Sequence, residues 1–230
     1  MPNNKPPDVA VIFDMDGVLV LTEDAHWKSW LEVARPRGAE LSYAAFKSCF
    51  GRINPDCIPI LFGPRSPEES VTIAEEKEAA FRRIVKERVP LVPGIVEFLT
   101  SLQNLGVRLG VGSSGPPENV KALVEGGGIA RFFSATVDGA QVKRGKPAPD
   151  VFLNCAQRLE VPPAGCAVIE DAPVGIRAAV AAGMLAVGVA TTHPEGELRE
   201  AGAAHVLREP AAIDPARLTA LLRDRMEEST

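Results

Sequence analysis

Six side chains in four short segments have the types and the setting to do chemistry together: Asp14 and Asp16 in DMDGV, Ser113 in GVGSSG, Lys146 in RGKPAPD, and Glu170 with Asp171 in VIEDA. Asp14 and Asp16 close the apolar run 9–13, where an ionised carboxylate is costly unless something pairs with it, and the run itself offers no partner. The runs 107–112 and 166–169 also read as buried strands, and Ser113 and the acid pair Glu170-Asp171 follow them directly. In open α/β sheets ligands bind outside the carboxyl ends of the strands, so carboxylates, a hydroxyl and an ammonium are predicted to meet on one rim. Converging carboxylates raise one another's pKa values, and the set is stable only around a cation. Hard oxygen donors suit Mg²⁺, which keeps positions open for water and a substrate phosphate. Lys146 would neutralise phosphate oxygens; Ser113 and the N–H groups opening the next helix would hydrogen-bond them. The chemistry such a set can do is phosphoryl transfer.

Taken singly, each motif has a plainer reading. DxDG is compatible with a loop capped by Asx turns, Ser113 with a helix N-cap, and Lys146 with a solvated lysine. A calcium loop fails: placing Asp14 and Asp16 at loop positions three and five puts Ile12 at position one, and a strand precedes it. Paired acids such as Glu170-Asp171 at a buried strand end are seldom structural without a partner.

The elements that must position these groups follow from the apolar periodicity. Helices are predicted over 23–33 and 43–50, then short helices and turns over 53–68, where five prolines and glycines crowd together. Ser66 as N-cap, Pro67 in the first turn and Glu69 three residues on open a charged helix running to about Arg88. From Leu91 strands and helices alternate: helix 94–104, strand 107–112, helix 116–126, strand 134–137, helix 149–159, strand 166–169, helix 173–182 and strand 185–190. The fold expected is α/β, a Rossmann-like, doubly wound parallel sheet core with an all-helical cap domain inserted after the first strand. Residues 1–19 and 91–230 would form the core and 20–90 the cap. The crossings near 19–22 and 88–93, read as lacking buried periodicity, would act as hinges that close the cap and exclude water.

At 230 residues, 46% hydrophobic and 24% charged, the chain has the composition of an ordinary globular protein. A net charge of −5 gives no basic footprint for nucleic acid or an anionic membrane, and no apolar run reaches membrane-spanning length. The N-terminus lacks an apolar leader, so a cytoplasmic protein is expected, acting as a monomer or weak dimer on a small phosphorylated substrate. Cys49, Cys57, Cys155 and Cys166 show no CxxC spacing and read as small apolar residues.

In this order, DMDGV, the strand-terminal Ser113, Lys146 in GKPAPD and EDAPVGIRAA at 170–179 resemble the haloacid dehalogenase-like superfamily. The resemblance spans nearly the whole chain, with the insert placed as in the subgroup of β-phosphoglucomutases and small-molecule phosphatases. It implies that Asp14 is the nucleophile that becomes an aspartyl-phosphate. Asp16, which dehalogenase members lack, would protonate the leaving oxygen and later activate the acceptor, while Ser113 and Lys146 complete the catalytic set. Asp14, the Asp16 carbonyl and Asp171 would ligate Mg²⁺, with Glu170 as a further ligand or as support behind them.

In the insert, Thr22, His26, Trp27, Arg52, Asn54 and Lys77 could face the site, with Ser114 joining them from the core. A His ten residues after the second Asp, with a nearby Thr, meets sugar-phosphate in the mutase pattern; a partly buried helical His is the alternative. Arg52 and Lys77 read either as binders of a substrate anion or as surface charge. Two departures from the mutase pattern stand out. The Lys-Asn pair expected soon after Ser113 is absent, the chain reading Ser113-Ser-Gly-Pro116-Pro117, and Arg52 follows Gly51 at once while Asn54 fills the slot expected for arginine. The function expected is a Mg²⁺-dependent phosphatase acting on a small phosphorylated metabolite such as a sugar phosphate. The alternatives are a β-phosphoglucomutase working through a bisphosphate, or a non-catalytic module that binds a phosphorylated metabolite.

Overall fold

A computed structural model of the chain describes residues 9–228. Strands β1 (Ala10–Phe13), β2 (Arg108–Gly112), β3 (Ala135–Val137), β4 (Cys166–Glu170), β5 (Leu185–Val189) and β6 (His205–Leu207) form one parallel sheet in the order β3-β2-β1-β4-β5-β6. The chain moves outward from β1 to β3, then returns to lay β4 on the other side of β1. That reversal makes the crevice between β1 and β4 a topological switch point. Phe13 is level with Val111 of β2 and Ile169 of β4, so the residues after these strands leave the sheet along one edge.

Helices α1 (Glu23–Ala34), α2 (Tyr43–Cys49), α3 (Asn54–Phe62) and α4 (Pro67–Val85) lie between β1 and β2, followed by α5 (Ile95–Asn104). Then come α6 (Pro117–Gly126), α7 (Asp150–Leu159), α8 (Pro173–Ala181), α9 (Glu195–Glu200) and α10 (Pro215–Glu228). Side chains alternate across β1. Val11 and Phe13 pack with Leu99 of α5, Leu123 of α6 and Leu218 of α10, whereas Ala10 and Ile12 pack with Phe152 of α7, Ile176 of α8 and Leu198 of α9. Both faces are thus covered, which is why the strands read as continuous apolar runs.

The first four helices bury a cluster of their own, including Trp30, Phe46, Ile58, Phe62 and Ile73. Ser66 and Glu69 close the expected capping box at the start of α4, which ends at Val85 and not near Arg88. Phe81 and Val85, at its far end, belong instead to the core under the sheet. Two expectations are corrected here. The proline-rich stretch forms a single nine-residue helix, α3. Pro55 sits in its first turn, where no N–H is missed, and Pro59 forfeits one bond while its carbonyl still accepts from Gly63 N at 3.1 Å. The crossings are also not free of burial: Leu19, Val20 and Val92 are buried, and Val20 bridges antiparallel to Leu91. Leu21 N donates to Pro90 O at 2.7 Å and Val92 N to Leu19 O at 3.0 Å, so the two connections hold each other.

None of the four cysteines is in a disulfide, and all are buried. Among the described residues no helix is long and apolar enough to cross a membrane.

Helix α7 packs on β2 at a glycine. A Cβ on Gly110 would lie 2.5 Å from Cys155 Sγ, closer than atoms can sit. Gly110→Ala is therefore expected to destabilise the fold by roughly 1–3 kcal/mol through overpacking, read as a lower urea midpoint at unchanged slope. An unchanged midpoint would show that α7 can retreat without cost.

Candidate active site

The edge that β1 and β4 share gathers the acids. Asp14 N donates to Ile169 O at 2.9 Å, carrying the pairing of β1 with β4 one residue past the strand and fixing Asp14 beside Glu170. Lys146 Nζ donates to Asp14 Oδ1 at 2.6 Å and to Glu170 Oε2 at 2.7 Å, and all three side chains are buried. The other Glu170 oxygen accepts from the backbone N–H groups of Asp171 (3.1 Å) and Ala172 (3.0 Å). Asp171 Oδ2 accepts from the Thr192 hydroxyl, carried just beyond β5. Gly17 makes room for it: its φ is +80°, and a Cβ there would stand 1.9 Å from Asp171 Oδ2.

Oxygens of Asp14, Glu170 and Asp171 lie within 4.8 Å of one another. Burial and the charge on Glu170 push Asp14 up to about 7, although Lys146 pulls it down. Burial together with Glu170 and Asp14 drives Asp171 well above the carboxylate range. Lys146 moves the opposite way to its burial, because Asp14 and Glu170 hold its ammonium charged. One buried ammonium faces three buried carboxylates, so the site carries an excess of negative charge and a donor set of hard oxygens, which a divalent cation fits.

The Asp16 carboxylate is not among those converging oxygens. It accepts from the Thr22 hydroxyl and from His26 Nε2 at 3.1 Å. His26 stacks on Phe81 and its Nδ1 meets Lys77 Nζ at 2.8 Å. An ammonium only donates, so Nδ1 is the acceptor there and Nε2 carries the hydrogen given to Asp16. Burial alone would raise Asp16; His26, the bonds from His26 and Thr22, and Lys77 outweigh it and hold the carboxyl below its ordinary value. The two acids of one motif are thus pushed in opposite directions, Asp14 up and Asp16 down.

Ser113 is buried, and its Oγ accepts from Gly115 N at 3.0 Å, leaving its hydrogen to donate elsewhere. A cavity of ≈ 70 Å³ separates sheet edge and insert: Asp14, Asp16, Ser113 and Ser114 on one side meet His26, Arg52, Asn54 and Lys77 on the other. Thr22 and Lys146 stand behind this wall, and Trp27 packs on Tyr43 and Phe46. Lys77 is not surface charge. It is buried near the rings of Trp30 and Phe81 and pairs with Glu78 at 2.8 Å. Arg52 is partly buried, with its Nε lacking any acceptor.

Three participants were not anticipated. Glu78 and Asn119 line the cavity and are bonded to each other across it, and Thr192 holds Asp171. Thr192 had a readable signal, a hydroxyl at the end of the apolar run LAVGVATT; Glu78 and Asn119 had none short of the fold itself.

This geometry agrees with what the chain is similar to. The family pattern of the haloacid dehalogenase-like hydrolases matches residues 9–183. The beta-phosphoglucomutase of Bacillus subtilis is 34% identical over 195 residues, 80% of this chain and 84% of that protein. The fructose-1-phosphate phosphatase YqaB of Escherichia coli is 38% identical over 184 residues, 78% of this chain and 95% of that one. Among solved structures, the beta-phosphoglucomutase of Clostridium difficile superposes with a TM-score of 0.85 at 27% identity, covering 95% of this chain and 98% of its own. With the matched span running from β1 past α8, the chain belongs to the haloacid dehalogenase-like hydrolases.

Proposed function

We propose that the protein is a Mg²⁺-dependent phosphatase that releases phosphate from a small phosphorylated metabolite through an aspartyl-phosphate on Asp14. The observation that carries this reading is the buried charge at the switch point, with Lys146 between Asp14 and Glu170 and Asp171 close by. Asp14, Asp171, the Asp16 carbonyl and Glu170 would hold the ion. When bound it would offset the carboxylate charge and draw a phosphate dianion into the site.

The chain's own groups then have distinct work. The Asp14 carboxylate attacks phosphorus and the ester oxygen leaves with a proton from Asp16; water next attacks the acyl phosphate as Asp16 takes a proton back. His26, Thr22 and Lys77 hold Asp16 low, and an arriving dianion would raise it, which suits a group that must first give a proton and then accept one. Lys146 has three N–H donors; two are used on Asp14 and Glu170, leaving one for a phosphate oxygen beside the Ser113 hydroxyl.

The resemblance to β-phosphoglucomutases keeps a second reading in view, phosphoryl transfer within a sugar through a bisphosphate. Against it stands the wall after Ser113. Pro116 and Pro117 open α6 without N–H groups, so the helix start offers a second phosphate fewer donors. Residues 1–19 and 91–230 act in this account as the core and 20–90 as a cap that must swing away for entry. The cavity of ≈ 70 Å³ is well below the roughly 300–1000 Å³ of ligand pockets.

Asp14→Asn is expected to lower phosphate release from p-nitrophenyl phosphate with Mg²⁺ by roughly 10³-fold or more while the thermal midpoint holds. Undiminished release would remove Asp14 as the nucleophile, and isomerised sugar phosphate as the only product of the parent protein would favour the mutase. Ion binding should also depend on pH. Asp14 titrates at 3.8 when unfolded and about 7 when folded, so the ion-free folded state binds the extra proton and loses stability as pH rises through that window. Mg²⁺ competes with that proton, and is expected to raise the thermal midpoint more at about pH 8 than at about pH 5. Equal increments at both pH values would place the ion away from Asp14.

A further inference from the structure

The cap side of the cavity holds a charge that phosphoryl transfer leaves unused. Glu78, on α4, is buried and lines the cavity. Its Oε1 accepts from Asn54 Nδ2 at 2.7 Å and from Lys77 Nζ at 2.8 Å, and its Oε2 accepts from Asn119 Nδ2 at 2.5 Å. Arg82 Nη1 donates to Asn119 Oδ1 at 3.0 Å, which sets the amide so that its NH₂ end faces Glu78. A carboxylate has about four acceptor positions, and these contacts fill all but one, on Oε2. Burial works against the charge, yet the Lys77 ammonium and the bonds from Lys77 and Asn54 outweigh it and hold the carboxyl below its ordinary value.

One donor without an acceptor shares the wall. Arg52 lines the same cavity with its Nε unpaired. An unfilled acceptor position on Glu78 and an unpaired guanidinium donor on Arg52 along one wall match a group that both gives and takes a hydrogen bond, which is a hydroxyl. An alkyl or aryl group would leave both polar groups buried and unsatisfied, the costly case. A second phosphate would answer Arg52 but confront the Glu78 charge.

We propose that Glu78 is a specificity-determining residue that accepts a hydrogen bond from a hydroxyl of the leaving group, making the substrates monophosphate esters of neutral sugars or polyols. The inference rests on the phosphatase reading above and names what that site selects.

The test measures kcat and KM with Mg²⁺ for a set of hexose monophosphates and for p-nitrophenyl phosphate, in the parent protein and in Glu78→Gln. The parent should prefer a hexose monophosphate. The variant should lose roughly tenfold to hundredfold in kcat/KM on that ester, mostly through KM, and less than about twofold on p-nitrophenyl phosphate. Equal losses on both esters would overturn the inference, reducing Glu78 to a support for Lys77 and His26. Release from p-nitrophenyl phosphate but from no hexose monophosphate would overturn it while leaving the phosphatase reading intact; release from no ester would overturn that reading itself. The parent protein gives an arm that needs no variant: among deoxy analogues of its best hexose monophosphate, at least one should cost roughly tenfold or more. Full activity on every deoxy analogue would overturn the inference.

Discussion

Everything at this site depends on the electrostatic cost of placing Asp14, Glu170 and Asp171 together out of water. Lys146 offsets part of that charge, and the raised Asp14 and Asp171 show that it does not offset all of it. A fold relaxing to minimum energy would splay these acids apart. Here the sheet forbids it. Asp14 is bonded through its own N–H to the β4 backbone, Glu170 is held by two backbone N–H groups, and Asp171 is seated over Gly17, where no side chain could fit. The backbone thus stores an attraction for cations and for whatever a cation attracts.

That constraint explains the division between the two acids of DMDGV. Two residues apart along a chain leaving a strand, Asp14 and Asp16 are turned toward different surroundings. Asp14 meets the sheet edge and Lys146, whereas Asp16 meets Thr22 and His26 from the insert. The insert therefore both walls the cavity and supplies the groups that set the proton affinity of Asp16. Helix α4 joins the halves, with Lys77 and Glu78 on the cavity and Phe81 and Val85 in the core beneath the sheet.

Much of this was legible in the chain because doubly covered strands read as apolar runs, and the chemical residues stand right after them. The doubly wound sheet, the insert after β1 and the convergence of the acids follow from that alone. Features that depend on packing between distant segments were not legible. Lys77 reads either as a binder of a substrate anion or as surface charge until Trp30 and Phe81 are known to lie against it. Glu78 and Asn119 meet only because α4 crosses the start of α6. The single helix through Pro59 survives by its packing, with Ile58, Leu61 and Phe62 buried. Beyond residue 190 the signals fade: α9 is short and charged with Leu198 its buried residue, β6 is a half-buried three-residue edge strand, and the apolar stripe of α10 is sparse.

The attachment of Asp16 to Thr22 and His26 makes its orientation a joint property of the sheet edge and the insert. Thr22 and His26 lie beyond the paired connections at Val20 and Leu91, on the inserted part of the chain. A displacement of that part by even one hydrogen-bond length would leave the Asp16 carboxylate without either anchor and free to rotate. The aim of this carboxylate is thus set by how the two parts of the chain meet, and not by the DMDGV motif alone.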